Sequence, residues 1–199
     1  MPRAQREDEM LEAAGQAFAT HGFHEASMDA IAEAAGISKP MLYNYFGSKE
    51  GLYFAYVDLS YRELIMAVDR VVGPVASGQP DQQLRAGVRA YYQYVGEHRD
   101  AFYVLFREIG DPGGALAEQR RRLRMRVALS LGRILLPKAS PAAQMQRVEP
   151  LAEAFLGAAR SLANWWLDHS EVSAEAIADQ LVDFILGGLH GAGDTCYGL

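Results

Sequence analysis

Residues 27–46 read Ser27-Met-Asp-Ala-Ile-Ala-Glu-Ala-Ala-Gly-Ile-Ser-Lys-Pro-Met-Leu-Tyr-Asn-Tyr-Phe46. Ser27 and Ser38 each stand just before a short run of helical spacing, where a serine oxygen can accept a hydrogen bond from a free N–H of the first turn. Gly36 suits a left-handed stop. The stretch therefore predicts a helix from Met28 to Ala35, a sharp turn, and a second helix from Lys39 to Tyr45, which is the layout of a helix-turn-helix. Ile31, Ala35, Ile37, Leu42 and Phe46 are spaced to share one core. At about 100° per residue, Pro40 and Asn44 lie opposite Leu42, with Met41 and Tyr43 beside them.

A major groove would meet that outer face. Asn44 offers an amide donor and a carbonyl acceptor, the pair that matches adenine N6 and N7; an exposed asparagine near a helix end is its ordinary alternative. Tyr43 and Tyr45 can donate phenolic hydrogen bonds to phosphate. Lys39 can reach a phosphate or a guanine edge, and Ser27 can offer its hydroxyl at the start of its helix. Ser48 caps the next helix, and Lys49 in its first turn adds charge to free N–H groups at a positive helix end.

Outward from this stretch, apolar residues recur at helical spacing between breaks rich in proline and glycine. Met10, Ala14 and Phe18 repeat every four residues. Leu84, Val88, Tyr91 and Val95 form a similar run. There is no alternation of period two and no hairpin signal, so the chain reads as all-α with about nine helices. The first runs from about Glu7 to Thr20 and ends near Gly22. The fourth reaches about Val72. Five more follow over 82–97, 100–109, 115–136, 149–169 and 174–189, with Pro150 suited to the first turn of its helix and Ser173 capping the last.

The chain has 199 residues, half of them hydrophobic, so it can bury a sizeable core. Its formal net charge is −6, an unpromising balance for a polyanion partner. Position matters more than the total. Even the first 55 residues carry twice as many acidic as basic side chains, yet no carboxylate falls between Glu33 and Glu50. A small positive face on an acidic body is expected, with modest affinity for non-specific DNA. Cys196 is the single cysteine, which excludes an internal disulfide and suits a reducing, cytoplasmic setting. The charged N-terminus does not resemble a signal peptide. The most apolar later segment, Leu181 to Gly193, contains Asp183 and His190 and is shorter than the ~20 residues of a membrane span.

Aromatics crowd the rest of the chain. Core packing is their usual role, but an apolar cavity with a few polar groups also suits a small molecule. Tyr91, Tyr92, Phe102, Phe106 and Trp165 are candidates for such a site. The run 120–126 holds five arginines in seven residues. Arg120 fills a gap in the apolar stripe of Leu116, Leu123, Val127, Leu131 and Ile134, so it can turn inward towards an anionic ligand or a carboxylate, or it can belong to a solvated face. No nucleophile elbow, phosphate loop or metalloprotease pair is present, so no enzyme activity and no cofactor are expected. His21 and His24 lack a third ligand, and no metal site is expected.

Gly22, Ser27, Ile31-Ala32, Ala35-Gly36, Ser38, Leu42-Tyr43, Tyr45-Phe46, Ser48-Lys49 and Leu52 together resemble the DNA-binding domain of the TetR family of bacterial transcriptional regulators. The resemblance covers about the first 55 residues. It departs from the common pattern at Asn44, where an aromatic is frequent, and at Gly51, where an acidic residue is frequent; the second departure is expected to matter little. The resemblance implies a helix-turn-helix domain over 1–47 and an effector-binding and dimerisation domain over 48–199, linked by the fourth helix. It also implies a homodimer on a near-palindromic double-stranded DNA operator, usually as a repressor released by a small-molecule effector. Helices eight and nine would form the dimer interface, with close approach allowed by the small residues Gly157, Ala158, Ala159 and Ala163 in the eighth and Gly187, Gly188 and Gly191 in the ninth. The alternative is a helical small-molecule-binding protein or enzyme whose N-terminal motif no longer contacts DNA.

Overall fold

The computed structural model describes residues 3–75, 79–106, 117–135, 138, 140–169 and 171–193. These form nine helices and no strand: α1 (Arg3–Glu25), α2 (Met28–Ala34), α3 (Lys39–Phe46), α4 (Lys49–Val72), α5 (Pro80–Glu97), α6 (Arg99–Phe106), α7 (Ala117–Leu135), α8 (Pro141–Trp166) and α9 (Ala174–Gly193). Cys196 and the Gly110–Gly114 break lie outside the described residues, as do the expected ends of the sixth and seventh helices beyond Phe106 and Leu135.

Caps and glycines set the borders of the short helices. Ser27 accepts a 3.5 Å hydrogen bond from the Ala30 N–H at the start of α2. At its end Gly36 takes a φ of 66°, its N–H reaching Glu33 O and the Ile37 N–H reaching Ala32 O. These two bonds define a Schellman stop, which needs a left-handed residue and so favours glycine. Ser38 differs from expectation, since its side chain makes no capping bond to α3. Its carbonyl takes the first turn's N–H groups from Met41 and Leu42 instead. Ser48 does cap α4, accepting from the Gly51 N–H at 2.9 Å.

Three helices extend a turn or more beyond their expected limits, α9 reaching Gly193 where the sequence suggests Leu189. In α1 the regular dihedrals fail at Gly22 (φ 74°, ψ 167°), where the sequence places the stop, but a further turn carries the helix to Glu25. α8 begins at Pro141, and Pro150 lies inside it rather than in a first turn. An interior proline forgoes one backbone bond and costs ~3 kcal/mol; the apolar face of Ala152, Phe155, Ala159 and Ala163, all buried, offsets that cost. Ala159 and Ala163 therefore pack within the chain and are not open to a second copy, contrary to their expected place in a dimer interface.

The chain divides into two compact units, residues 1–63 with 98–119 and residues 64–97 with 120–199. In the first, Met10, Ala14 and Phe18 of α1 are buried with Ile31, Leu42, Leu52, Val57 and Phe102. Tyr53 meets the rings of Phe18 and Phe23 edge-on at 5.3 and 5.2 Å, and its hydroxyl donates to Val104 O at 3.3 Å. Gly15 leaves room for the Tyr56 ring; a Cβ there would lie 2.6 Å from its hydroxyl oxygen.

In the second unit, α5 packs on α9. Leu84, Val88, Tyr92, Tyr94 and Val95 are among its buried positions. The inner tyrosines are therefore Tyr92 and Tyr94 and not Tyr91, with a step of four from Val88 to Tyr92 where the spacing suggests three. The Tyr92 hydroxyl donates to Ala159 O at 3.1 Å. Along the margin of α5 and α9, Arg89 grips Asp179 with Nε at 2.9 Å and Nη2 at 2.5 Å. Arg85 spans Asp179 at 3.1 Å and Asp183 at 2.6 Å. Arg89, with help from Arg85, holds the Asp179 carboxyl below its ordinary range. Partly exposed pairs of this kind contribute little each. Arg124 and Arg126 of the arginine run are also paired, with Glu153 at 2.6 Å and with Asp69.

Burial pushes the Tyr56 phenol up to about 12, with Asp100 and Glu63 adding to the rise and Ser60 opposing it. An unfolded tyrosine titrates near 10. The neutral phenol thus favours the folded state below pH ~10, and that preference is lost as pH rises towards 12. Tyr56→Phe should flatten the fall of thermal stability between pH ~10 and 12. Identical pH slopes for variant and wild type would contradict this placement.

Candidate nucleic-acid interface

α2, the Gly36 turn and α3 bury Ile31 and Leu42 completely, while Ala35, Ile37 and Phe46 are half-buried around them. Anchoring Leu42 turns the opposite side of α3 outward. Lys39, Pro40 and Asn44 are exposed, Tyr43 is 39% exposed, and Met41 and Tyr45 are half-buried at the edges. Ser27 is exposed. It lies on the rim of a groove of about 360 Å³ between α1 and α2, which also passes Gln16, Thr20 and His21.

Both lysines already hold partners within the chain. Lys39 Nζ donates to Asp29 Oδ2 at 2.9 Å, and this bond together with the charge on Asp29 raises the lysine's pKa. A carboxylate from α2 therefore reaches into the face that the sequence presents as free of acid. Lys49 Nζ donates to His24 O at 2.8 Å and sits 5.1 Å above the Phe23 ring. It occupies the negative end of α1, a favourable site for a cation. An ammonium has three donors, so this bond leaves donors for a phosphate.

Gly51, in the first turn of α4, lies against the last peptide of α3. A Cβ there would come within 3.0 Å of Phe46 O, and 3.2 Å from Phe46 C. The departure at this position matters, because an acidic side chain does not fit this junction as it stands.

The candidates for a small-molecule site divide between the units. Phe102 is buried in the first, with Phe106 beside it at 5.1 Å. Phe106 also approaches Tyr61 at 6.4 Å. In the second unit, Tyr91 meets Tyr92 edge-on at 5.1 Å. Tyr92 is fully buried with its hydroxyl committed to Ala159 O, so it acts as a core residue and does not present its phenol to a ligand. Trp165 is 45% exposed and stacks on His169 at 3.9 Å, a surface position. The Arg120 side chain lies outside the described residues.

Residues 10–56 match the family model for bacterial regulatory proteins of the tetR family, and residues 80–188 match the tetracyclin repressor-like C-terminal domain. A TetR-like transcriptional regulator from Rhodococcus sp. RHA1 is 36% identical, with 96% of this chain and 99% of that one covered at a TM-score of 0.79. The HTH-type transcriptional activator FasR of Mycolicibacterium smegmatis is 34% identical over 106 residues, 53% of this chain and 48% of that protein. The chain thus spans less than half the length of FasR and of the EthR regulators that it also matches. AibR, whose structure holds isovaleryl coenzyme A and operator DNA, shares the fold at a TM-score of 0.71 and 22% identity, with 90% of this chain and 97% of that one covered. With its two-part model match and its outward-facing α3, the chain belongs to the TetR family of transcriptional regulators.

Proposed function

We propose that the chain is a ligand-responsive repressor that binds a near-palindromic operator as a homodimer in the cytoplasm. The observation that carries this reading is the exposed strip of α3, Lys39, Pro40, Tyr43 and Asn44, above a buried Leu42. In this reading α3 enters the major groove and Asn44 reads a base edge, with Met41 beside it. Ser27, Tyr43, Tyr45 and Lys49 meet the backbone. Lys39 exchanges Asp29 for a phosphate or a guanine edge. The exchange is inexpensive, since an exposed ion pair contributes little.

A second copy fits α8 and α9. Phe184 on α9 is 76% exposed, and a Cβ built on Gly157, Gly187 or Gly188 would meet no atom within 4 Å among the described residues. Small residues of this kind permit close helix approach. Dimerisation also answers a need, because one short helix reads too few bases to be specific. AibR, with its acyl coenzyme A and operator, supports a ligand-responsive reading for a chain of this fold. A 100-fold release would need ~2.7 kcal/mol of coupling between effector and DNA. The likeness to FasR favours activation as the second reading of the regulatory sign, and in vitro transcription from the bound promoter separates the two.

A gel shift against DNA upstream of the protein's own coding region tests the reading as a whole. On the preferred site, Asn44→Ala should cost ~1–3 kcal/mol and relax preference at one base pair; unchanged base preference removes Asn44 from the reading set. Lys49→Ala should lower the salt slope of binding by ~0.9 and destabilise the DNA-free protein by about 1 kcal/mol through the loss of its bond to His24 O. A full slope with lowered stability would leave Lys49 as a helix tie alone. Phe184→Asp should yield monomers by sedimentation and weaken operator binding by at least about tenfold. A stable dimer in that variant would place the interface elsewhere.

A further inference from the structure

We propose that Gly51 sets the aim of the recognition helix: its missing Cβ lets the last carbonyl of α3 rest on the first turn of α4, which fixes the direction in which α3 leaves the domain. The inference rests on the operator-binding reading and specifies the residue that orients the reading surface.

Only Gly47 and Ser48 separate α3 from α4. Gly47 has a φ of 75° and its N–H bonds back to Tyr43 O at 2.8 Å, while the Ser48 N–H turns back to Phe46 O at 2.9 Å. The Phe46 carbonyl is therefore held in a tight reversal, and the Gly51 N–H is tied to the same reversal through Ser48 Oγ at 2.9 Å. Across this junction a Cβ on Gly51 would enter the space of Phe46 O, closer than 3.0 Å, with Phe46 C at 3.2 Å. Both obstructing atoms are backbone. No side-chain rotation relieves the overlap, so the Phe46 peptide would have to move, and the rigid helix ending in it would move too.

The two glycines serve different needs. Gly47 is required by its positive φ, and a Cβ there would meet nothing within 4 Å. Gly51 is not among the positive-φ residues. Glycine inside a helix lowers stability relative to alanine, so backbone freedom does not account for it, and the space taken by Phe46 O does. A small rotation at Phe46 displaces Pro40, Tyr43 and Asn44 at the exposed side of α3, where base recognition demands alignment of donors and acceptors.

The test compares wild type, Gly51→Ala and Ser48→Ala. Ser48→Ala removes the cap at the same junction but adds no bulk between Phe46 and Gly51. Two readouts are taken: affinity for the operator and for an unrelated duplex of equal length at one salt concentration, and backbone amide chemical shifts of the DNA-free protein. For Gly51→Ala the expected result is a loss of at least about tenfold for the operator with less than about twofold change for the unrelated duplex, together with displaced amide shifts across Met41–Phe46. Ser48→Ala should keep its discrimination and confine its shift changes to residues 48–51. The inference is overturned if Gly51→Ala keeps full discrimination, loses both affinities equally, or fails to fold. Should wild type itself show no discrimination, the operator reading fails on its own account. The amide shifts then decide, and unmoved shifts across Met41–Phe46 overturn the positioning role.

Discussion

Eight residues of helix do not hold their shape alone in water, because the cost of nucleation is not repaid over so short a run. α3 must therefore be held by its surroundings, and the rest of the N-terminal unit is arranged to do so. Leu42 is fully buried against a core that includes Ile31. The Schellman stop at Gly36 ends α2 at the point from which the chain can turn into α3, and Gly47 closes the other end with a positive φ. Fixed at three places on one side, α3 presents the other side to solvent. Burial of a leucine contributes roughly 1.5–3 kcal/mol, which is of the scale needed to hold a two-turn helix in place.

The same economy governs charge. An acidic protein of net charge −6 has few cations to spare near the helix. Those it has are not idle: Lys39 pairs with Asp29, and Lys49 closes the C-terminal end of α1. Each arrangement organises the unit in the absence of a polyanion and surrenders little when one arrives. Asp29 also tempers non-specific attraction, because a cation held by a neighbouring carboxylate adds less to a general phosphate field than a solitary one. Discrimination then falls to the shape of α3 and to the pairing of two copies.

What could be read from the chain is what local chemistry determines. Ser27, Ser48, Gly36 and the four-residue recurrence of Met10, Ala14 and Phe18 each act within a few residues, and the structure uses all of them as their types suggest. The failures share a cause. Ser38 has the residue type of a cap and a backbone that does not need it. Pro150 reads as a helix start because proline fits there best, yet a buried apolar face extending back to Val148 carries α8 through it. Tyr91 and Tyr92 are adjacent, and only the packed partner, Ala159 O, decides which goes inward. The pairing of Lys39 with Asp29, of Lys49 with His24 O, and of Gly51 with Phe46 O depends on how separate segments return to one place, which spacing alone does not state.

The central claim is that α3 reads DNA as one of a symmetric pair. Hydroxyl-radical footprinting on the DNA upstream of the coding region tests it most directly. Two protected patches related by a dyad, with half-site centres about one helical turn, ~34 Å, or a related spacing apart, are the predicted result. Uniform protection without dyad symmetry at every protein concentration would contradict it.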